Sequence, residues 1–499
     1  MRKKDIIGNI VSYSAGRYIS QFIGFFISVL MRNFLGPLYT GMWGLIRVFM
    51  GYASYNDLGA LQFLYFKVPY FKGGGDIRKV NEIQGTVFAF MFLMNALVAL
   101  VFLIAAFFLK GRIAHELFIG FLVLPVFFII QRVMAFYTML LRAHKDFKIL
   151  GGSYIFDSAM NLLLIVLLVA RFKIYGMYAL SVILPVLNIA YVFCHVRYEV
   201  VPVLDWKKIT EYVKFGFPIS ISASCIVLFY SVDSMMIAKM LGLIPLGYYS
   251  IATMARSYTT ELSQNFASVL SPYFIEDLGR SKDVSATGRY VIRYTEITSG
   301  IMSLILGAGF IFLPVFFKYT MPDFGPGIGA MKMMLVCTFF IVLSGHIKNY
   351  LIVNNRVMFL LFTTLGAIAV NAGLNYFAIR NGFGITGVAV SSSIAAMLMF
   401  LVISVDIFGL VKGVSFTGYL ARTFLPFILV FLVVFAIGSY VKFGNEALEL
   451  AVKTVLYGLF TLAGLAYIDK NTGIGKILLE LVSDKIKRKK TSDTGGASG

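Results

Sequence analysis

Apolar positions follow one another along nearly the whole chain, in runs long enough to cross a membrane as helices. Windows of about 19 residues give fourteen candidate spans. The first seven lie near residues 6–34, 37–66, 81–109, 113–141, 152–171, 174–196 and 209–238, and the second seven near 244–272, 289–317, 328–350, 359–379, 385–411, 418–440 and 446–468. The pattern predicts an all-α polytopic membrane protein.

The composition agrees, since 59% of residues are hydrophobic and 14% are charged, against roughly 25% charged in soluble domains. The net charge of +20 comes largely from basic residues in alternate loops and in the tails. The positive-inside rule then predicts a cytoplasmic-membrane protein with both termini in the cytoplasm. This distribution also argues against a nucleic-acid partner.

A short motif occurs twice, at residues 34–43 and 240–249. At a shift of 206 the matched pairs are Leu35 and Leu241, Gly36 and Gly242, Gly41 and Gly247, and Trp43 and Tyr249. Residues 174–176 echo residues 385–387 at a shift of 211. Two echoes in one order favour a duplicated bundle over chance similarity.

The repeat predicts a domain plan of two pseudo-symmetric six-helix lobes in the same membrane orientation. The predicted boundaries are 1–205 for the first lobe, 206–411 for the second, 412–469 for a two-helix appendage and 470–499 for a tail. Apolar and basic residues alternate in that tail, which ends near Lys487-Arg-Lys-Lys. An amphipathic helix on anionic membrane lipids is expected there, with a solvated tail as the alternative.

Three arginines, Arg17, Arg47 and Arg256, lie about halfway along predicted spans, roughly 15–18 Å from a helix start. A charge at that depth costs roughly 2.5–3.5 kcal/mol on insertion scales, so such residues usually line a watery cavity or bind a ligand. Guanidinium groups bind phosphate bidentately and stay charged. The three arginines therefore predict an anion site.

Helical spacing gives each arginine a face of small and polar residues. The faces are Ser14, Arg17, Gln21, Gly24, Ser28 and Arg32 on the first helix, Thr40, Gly44, Arg47, Gly51 and Ser54 on the second, and Thr253, Arg256, Thr260 and Ser263 on the eighth. These faces are expected to line a cavity.

Two alternatives remain open for the intramembrane charges. The arginines could pair with intramembrane acids such as Asp57 or Glu261. Arg132, deeper toward the cytoplasm, is expected either to meet an entering diphosphate headgroup or to extend its charge to the membrane surface.

Residues 32–43, followed by Tyr55-Asn-Asp-Leu-Gly59, resemble the start of Wzx-like polysaccharide-biosynthesis flippases. These belong to the multidrug/oligosaccharidyl-lipid/polysaccharide (MOP) exporter superfamily. The resemblance implies two six-helix bundles that move an undecaprenyl-diphosphate-linked oligosaccharide from the inner to the outer leaflet by alternating access. It also implies glycosyltransferases and a glycan polymerase as neighbours in the pathway.

Lipid II flippases, from the same superfamily, have central arginines on helices one, two and eight, and the resemblance carries that role to Arg17, Arg47 and Arg256. They also have a sodium site on helices seven, eleven and twelve. Asp233, Asn371 and Asn375 are the matching positions here, and Ser391 and Ser392 on the twelfth span add hydroxyl oxygens. Where that site has a second carboxylate this chain has Asn375, and an ordinary hydrogen-bond cluster is the alternative.

The chain has no phosphate-binding loop of the G-x-x-x-x-G-K-[ST] type, so coupling to Na⁺ or H⁺ without another cofactor is expected. An enzyme is disfavoured because the four histidines are isolated and the loops are short. The remaining rivals are a lipid II flippase and a MATE-type multidrug or cation antiporter. The arginines disfavour a cationic cargo.

Overall fold

The structure, a computed structural model, describes residues 3–196, 198–261, 284–354, 356–411 and 413–472. Regular structure in these residues is helical throughout, which confirms the predicted all-α membrane fold. The helices are α1 Lys3–Ala53, α2 Ala60–Gly73, α3 Ile77–Leu109, α4 His115–His144, α5 Phe147–Leu164, α6 Ala170–His195, α7 Trp206–Met240, α8 243–261, α9 Val284–Thr320, α10 Ile328–Val353, α11 Val357–Arg380, α12 Gly384–Leu410, α13 Phe416–Tyr440 and α14 Glu446–Thr472. In this part of the chain, eleven helical stretches are long and apolar enough to cross a membrane. The count of fourteen spans stays a prediction.

Helix α1 contains the predicted first span and the start of the second. It bends at Gly36, whose φ of 68° lies in the left-handed region that glycine adopts without strain. Pro37 follows, and its fixed φ and missing N–H suit the first turn of a helical segment. Two helical segments therefore meet at Gly36, where the sequence predicted the end of the first span and the start of the second.

The predicted second span, residues 37–66, is interrupted. The chain leaves α1 after Ala53 and turns through residues 54–59 before α2 begins. Gly59 has a φ of 93°, and a Cβ at this position would lie 2.1 Å from the carbonyl carbon of Gly216 in α7. The prediction of one unbroken second helix is therefore wrong, because a hydropathy window does not detect a short turn between apolar segments.

The two copies of the repeated motif pack against each other. A Cβ on Gly41 would lie 1.9 Å from the carbonyl oxygen of Leu243, and a Cβ on Gly247 would lie 1.9 Å from the carbonyl oxygen of Pro37. At the shift of 206, Gly247 is the counterpart of Gly41 and Leu243 is the counterpart of Pro37. Each glycine therefore makes the contact that its counterpart makes. We call this pair of contacts the glycine crossing.

Backbone conformation supports the repeat at both echoes. Gly36 and Gly242 have φ values of 68° and 101°. Lys173 and Gly384, which are counterparts at the shift of 211, have φ values of 52° and 56°. Both echoes therefore mark positions where the chain changes direction with a left-handed residue.

The described residues divide into two compact units: those within 3–258, 317–334 and 356–399 form the first, and those within 259–261, 284–316, 335–354 and 400–472 form the second. The first contains a large core around Trp43, Ile46 and Phe128. The second contains a smaller core around Leu304, Val430 and Tyr457. These units do not follow the boundaries of the six-helix lobes, which stay a prediction.

Candidate functional site

The five arginines singled out by the sequence fall into two groups by burial. Arg47 is exposed, and Arg17 and Arg256 are half-buried. Arg32 and Arg132 are only 6% and 7% exposed. The three arginines predicted to bind an anion are therefore the accessible ones.

Arg132 is held by an acid of its own chain. Its Nη2 lies 2.7 Å from Oδ1 of Asp57, and both side chains are nearly inaccessible. The second carboxylate oxygen of Asp57 accepts a hydrogen bond of 3.1 Å from the backbone N–H of Leu61, in the first turn of α2. Arg132 therefore neither extends to the membrane surface nor points to an entering headgroup here. Asp57 pairs with Arg132 rather than with one of the three central arginines.

Arg32 joins α1 to α8. Its Nε donates to Oγ of Ser250 at 3.0 Å, its Nη2 donates to the carbonyl oxygen of the same residue at 3.2 Å, and its Nη1 donates to the carbonyl oxygen of Ser28 at 2.9 Å. The hydroxyl of Ser28 lies 3.0 Å from the hydroxyl of Tyr258, also in α8. Arg32 and Ser28 are thus part of a helix contact, where the sequence predicted cavity-lining side chains.

Arg47 has an electrostatic environment without an acid. In the described part of the chain it has neither a hydrogen-bond nor an ion-pair partner. Arg32 lies close enough for the two guanidinium charges to repel each other, and the phenol of Tyr258 interacts with both. An anion would relieve that repulsion, since an opposite charge favours the charged form of each group.

Arg17 and Arg256 differ in their surroundings. Arg17 has no hydrogen-bond or ion-pair partner among the residues that the structure describes. The guanidinium carbon of Arg256 lies 3.9 Å from the ring centre of Tyr230, which is a cation–π contact. Such stacking uses the flat face of a guanidinium, while bidentate binding of phosphate uses its N–H edge.

The other predicted lining residues are more varied. Gln21, Thr253 and Thr260 are half-buried, and the Thr253 hydroxyl donates to the carbonyl oxygen of Ser250 at 2.9 Å. Ser14 and Ser263 lie outside the side chains that the structure describes.

The predicted cation site is a closed hydrogen-bond cluster around Asp233, which is 2% exposed. Asn371 and Asn375 each donate to its Oδ1 at 2.9 Å. Tyr249 and Ser392 donate to its Oδ2 at 2.8 and 2.6 Å. Four donors satisfy the carboxylate, so the cluster stabilises the anion itself and presents amide nitrogens rather than oxygens to it.

Sequence reasoning placed Asp233, Asn371, Asn375 and Ser392 at one site but missed Tyr249. Ser391, also a predicted member, donates to the carbonyl oxygen of Gly387 at 3.0 Å instead. Its neighbour Ser392 faces Asp233, since adjacent positions of a helix point about 100° apart. Tyr249 was visible only as the aromatic end of the repeated motif.

The long apolar helices define a multi-pass membrane protein. The family described as "Polysaccharide biosynthesis protein" matches residues 77–312. This match confirms the resemblance that residues 32–43 and 55–59 indicated. No curated protein matches the sequence at a significant level.

Three solved structures show how widely this fold is shared. The lipid II flippase MurJ, in an inward closed conformation, aligns at 15% identity with a TM-score of 0.64, covering 92% of this chain and 99% of that one. An inward-facing multidrug resistance MATE transporter of the MOP superfamily aligns at 13% identity and a TM-score of 0.56, over 87% of this chain and 100% of its own. The eukaryotic MATE transporter AtDTX14 aligns at 14% identity with a TM-score of 0.55, covering 85% of this chain and 97% of that one. At these identities the likeness establishes the fold.

Proposed function

We propose that this protein is a flippase. Its substrate is a polyprenyl-diphosphate-linked oligosaccharide, a surface polysaccharide precursor, which it moves from the inner to the outer leaflet of the cytoplasmic membrane by alternating access. The family match to polysaccharide biosynthesis over residues 77–312 supports the glycan class of the substrate. The fold shared with MurJ and MATE transporters supports transport.

The observation that carries the proposal is the state of Arg47 and Arg17. Both lie within apolar, membrane-length segments, both are at least partly accessible, and neither has a hydrogen-bond or ion-pair partner among the described residues. A structural role by ion pairing would provide a carboxylate, as Asp57 does for Arg132. Unpaired cations at this depth are costly, so a diphosphate is the ligand that their chemistry favours.

Coupling to Na⁺ or H⁺ is part of the proposal, and Asp233, Asn371, Asn375 and Ser391 stay its predicted site. In the conformation described here, a metal ion at Asp233 would require both amides to rotate and present their oxygen atoms.

The test removes the cations one at a time. Arg17→Ala, Arg47→Ala and Arg256→Ala are each expected to reduce surface glycan by roughly tenfold or more, because a hydrogen bond to a charged group contributes about 1.5–3 kcal/mol. Surface glycan is measured immunochemically in cells that lack the native copy, with protein level followed by immunoblot. Arg112→Ala, an exposed arginine just after α3, is the control and should export normally. Normal export by all three variants would refute the anion site.

A lipid II flippase is the second candidate, because MurJ covers 92% of the chain. The two substrates can be separated by complementation. Expression in cells depleted of their lipid II flippase should not restore growth, whereas expression in cells that lack the glycan flippase should restore surface polysaccharide. The reverse result would replace the glycan with a peptidoglycan precursor.

A further inference from the structure

A further acid of the membrane-spanning helices, Asp157, lines a cavity away from the sites described above. The cavity has a volume of about 350 Å³ and is lined by residues of α1, α4, α5 and α6, including Asp157 of α5 and Asn188 of α6. We call it the α4–α6 cavity. It lies entirely within the first compact unit, and no site residue predicted from the sequence belongs to it.

Three hydroxyl groups that line the α4–α6 cavity donate their hydrogens to backbone carbonyl groups rather than to the cavity. Thr138, Ser153 and Ser181 donate to backbone carbonyl oxygens of Met134, Leu150 and Tyr178, at 2.9, 3.1 and 2.7 Å. Each hydroxyl has a single hydrogen, so its oxygen can offer the cavity only lone pairs. Tyr154 differs, since its hydroxyl accepts a hydrogen bond of 3.0 Å from Nη2 of Arg142.

Asn188 adds an acceptor that has no partner. Its amide nitrogen donates to Oδ1 of Asp157 at 2.5 Å and to the carbonyl oxygen of Leu184 at 3.2 Å. Its Oδ1 is buried without a hydrogen-bond partner among the described residues, in a side chain that is 3% exposed. A buried amide oxygen without a donor costs about 1–3 kcal/mol, which a ligand with positive charge would offset.

Asp157 has no cationic partner among the residues that the structure describes. Asn188 is the only described side chain that acts on its carboxylate. The two other acids discussed above are compensated, Asp57 by an arginine and Asp233 by four donors. A cation bound beside Asp157 would stabilise its carboxylate form, since a nearby opposite charge favours the charged form of an acid.

We propose that the α4–α6 cavity binds a small monovalent cation, with Na⁺ as the ion of this class. Asp157, the Oδ1 of Asn188 and the lining hydroxyl oxygens supply the hard oxygen ligands that such ions take. One carboxylate fits a single positive charge. A water occupies about 30 Å³, so the cavity has room for the ion with water completing its shell. This binding inference does not depend on the proposed transport function.

Trp43 provides an internal reporter, because it lines the same cavity. The chain has two tryptophans, and the other, Trp206, is 61% exposed at the start of α7. In full-length Trp206→Phe protein purified in detergent, Trp43 is therefore the only tryptophan. NaCl added at constant pH and ionic strength, with choline chloride as the balancing salt, should change its fluorescence saturably. KCl should act at least tenfold more weakly.

Variants in the Trp206→Phe background locate the ion. Asp157→Asn is expected to abolish the Na⁺ response, and Asn188→Ala is expected to raise the Na⁺ concentration needed for half the effect by about tenfold. Asp323→Asn, at an exposed acid, is the control and should respond like the parent. Size-exclusion profiles and melting curves establish that each variant is folded. If Asp157→Asn does not fold, Asn188→Ala provides the test.

Several results would overturn the inference. One is a parent protein without a saturable Na⁺ response, and another is an equal response to choline or K⁺. A fluorescence response to pH but not to Na⁺ would mean that the Asp157 carboxylate binds a proton instead of the metal ion. Loss of the Na⁺ response in Asp233→Asn but not in Asp157→Asn would move the ion to the Asp233 cluster. A response to a neutral methyl glycoside instead of Na⁺ would make the cavity a sugar subsite. Because no substrate or gradient is present, failure here leaves the flippase proposal unaffected.

Discussion

Two contacts in the first compact unit hold arginines in opposite ways. Between α2 and α4, Arg132 is buried against Asp57, and the carboxylate also holds the first turn of α2. Near α8, the buried Arg32 of α1 has only neutral hydrogen-bond partners, and Arg47 lies close to it with no acid in the described part of the chain. The first arrangement is electrostatically complete, and the second is not.

The difference shows that depth in the membrane does not by itself assign a function to an arginine. Burying a charge requires compensation, and the compensating group determines the role. Where the protein supplies the counter-charge, the pair stabilises a helix contact. Where it does not, as at the exposed Arg47, the cation is open to solvent and to an anionic ligand. The comparison can be tested through stability, because the two kinds of arginine should respond differently to substitution.

The largest effect is expected at Asp57. Asp57→Ala leaves Arg132 buried without its counter-charge and leaves the Leu61 N–H without its acceptor, so the free energy of unfolding should fall by about 3–5 kcal/mol. Denaturant unfolding in detergent micelles measures this. The double substitution Asp57→Ala with Arg132→Leu should recover a large part of the loss. A change below about 1 kcal/mol in Asp57→Ala would mean that the pair is not structural.

An intermediate effect is expected at Arg32. Arg32→Leu removes two hydrogen bonds between α1 and α8 and one within α1, but it also removes the repulsion on Arg47. The two effects oppose each other, so the expected loss is about 1–3 kcal/mol in the same unfolding measurement. Ser250→Ala, which removes one of these acceptors, should cost less than Arg32→Leu. The opposite order would show that Arg32 does not hold the helix contact.

The smallest effect is expected at Arg47. Arg47→Leu removes a side chain that has no partner in the described structure, so the free energy of unfolding should change by less than about 0.5 kcal/mol. Export of glycan should nevertheless be lost. A variant that unfolds more easily and still exports would reverse the distinction between the two kinds of arginine.

The sequence predicts the helical architecture well, because a helix in lipid has to be apolar over most of its surface. It also locates the repeat, since the glycines at 36, 41, 242 and 247 are required by backbone geometry. It does not predict the turn at residues 54–59. The residues around that turn are apolar enough to keep a hydropathy window continuous.

Candidate site residues are harder to assign because the decisive partners are distant in the chain. Asp57 and Arg132 are 75 residues apart, and helical spacing within one segment cannot join them. The face of α1 that carries Arg17 was identified correctly as polar, but periodicity does not tell a cavity from a neighbouring helix. Arg32 and Ser28 therefore lie in a helix contact. The pattern also gives no hint of the α4–α6 cavity, whose acid and amide lie on different helices.

The glycine crossing has a consequence for how the two halves of the chain can diverge. Gly41 contacts Leu243, and Gly247 contacts Pro37. The two glycines are counterparts in the repeat, and so are Pro37 and Leu243. This is the reciprocity of an isologous interface, in which one surface patch meets a second copy of itself. The two copies of the motif therefore meet as the matching patches of a twofold symmetric dimer do, although one chain contains both. A side chain added to either glycine would collide with the backbone of the other half, so neither copy of the motif is free to change while the other stays the same.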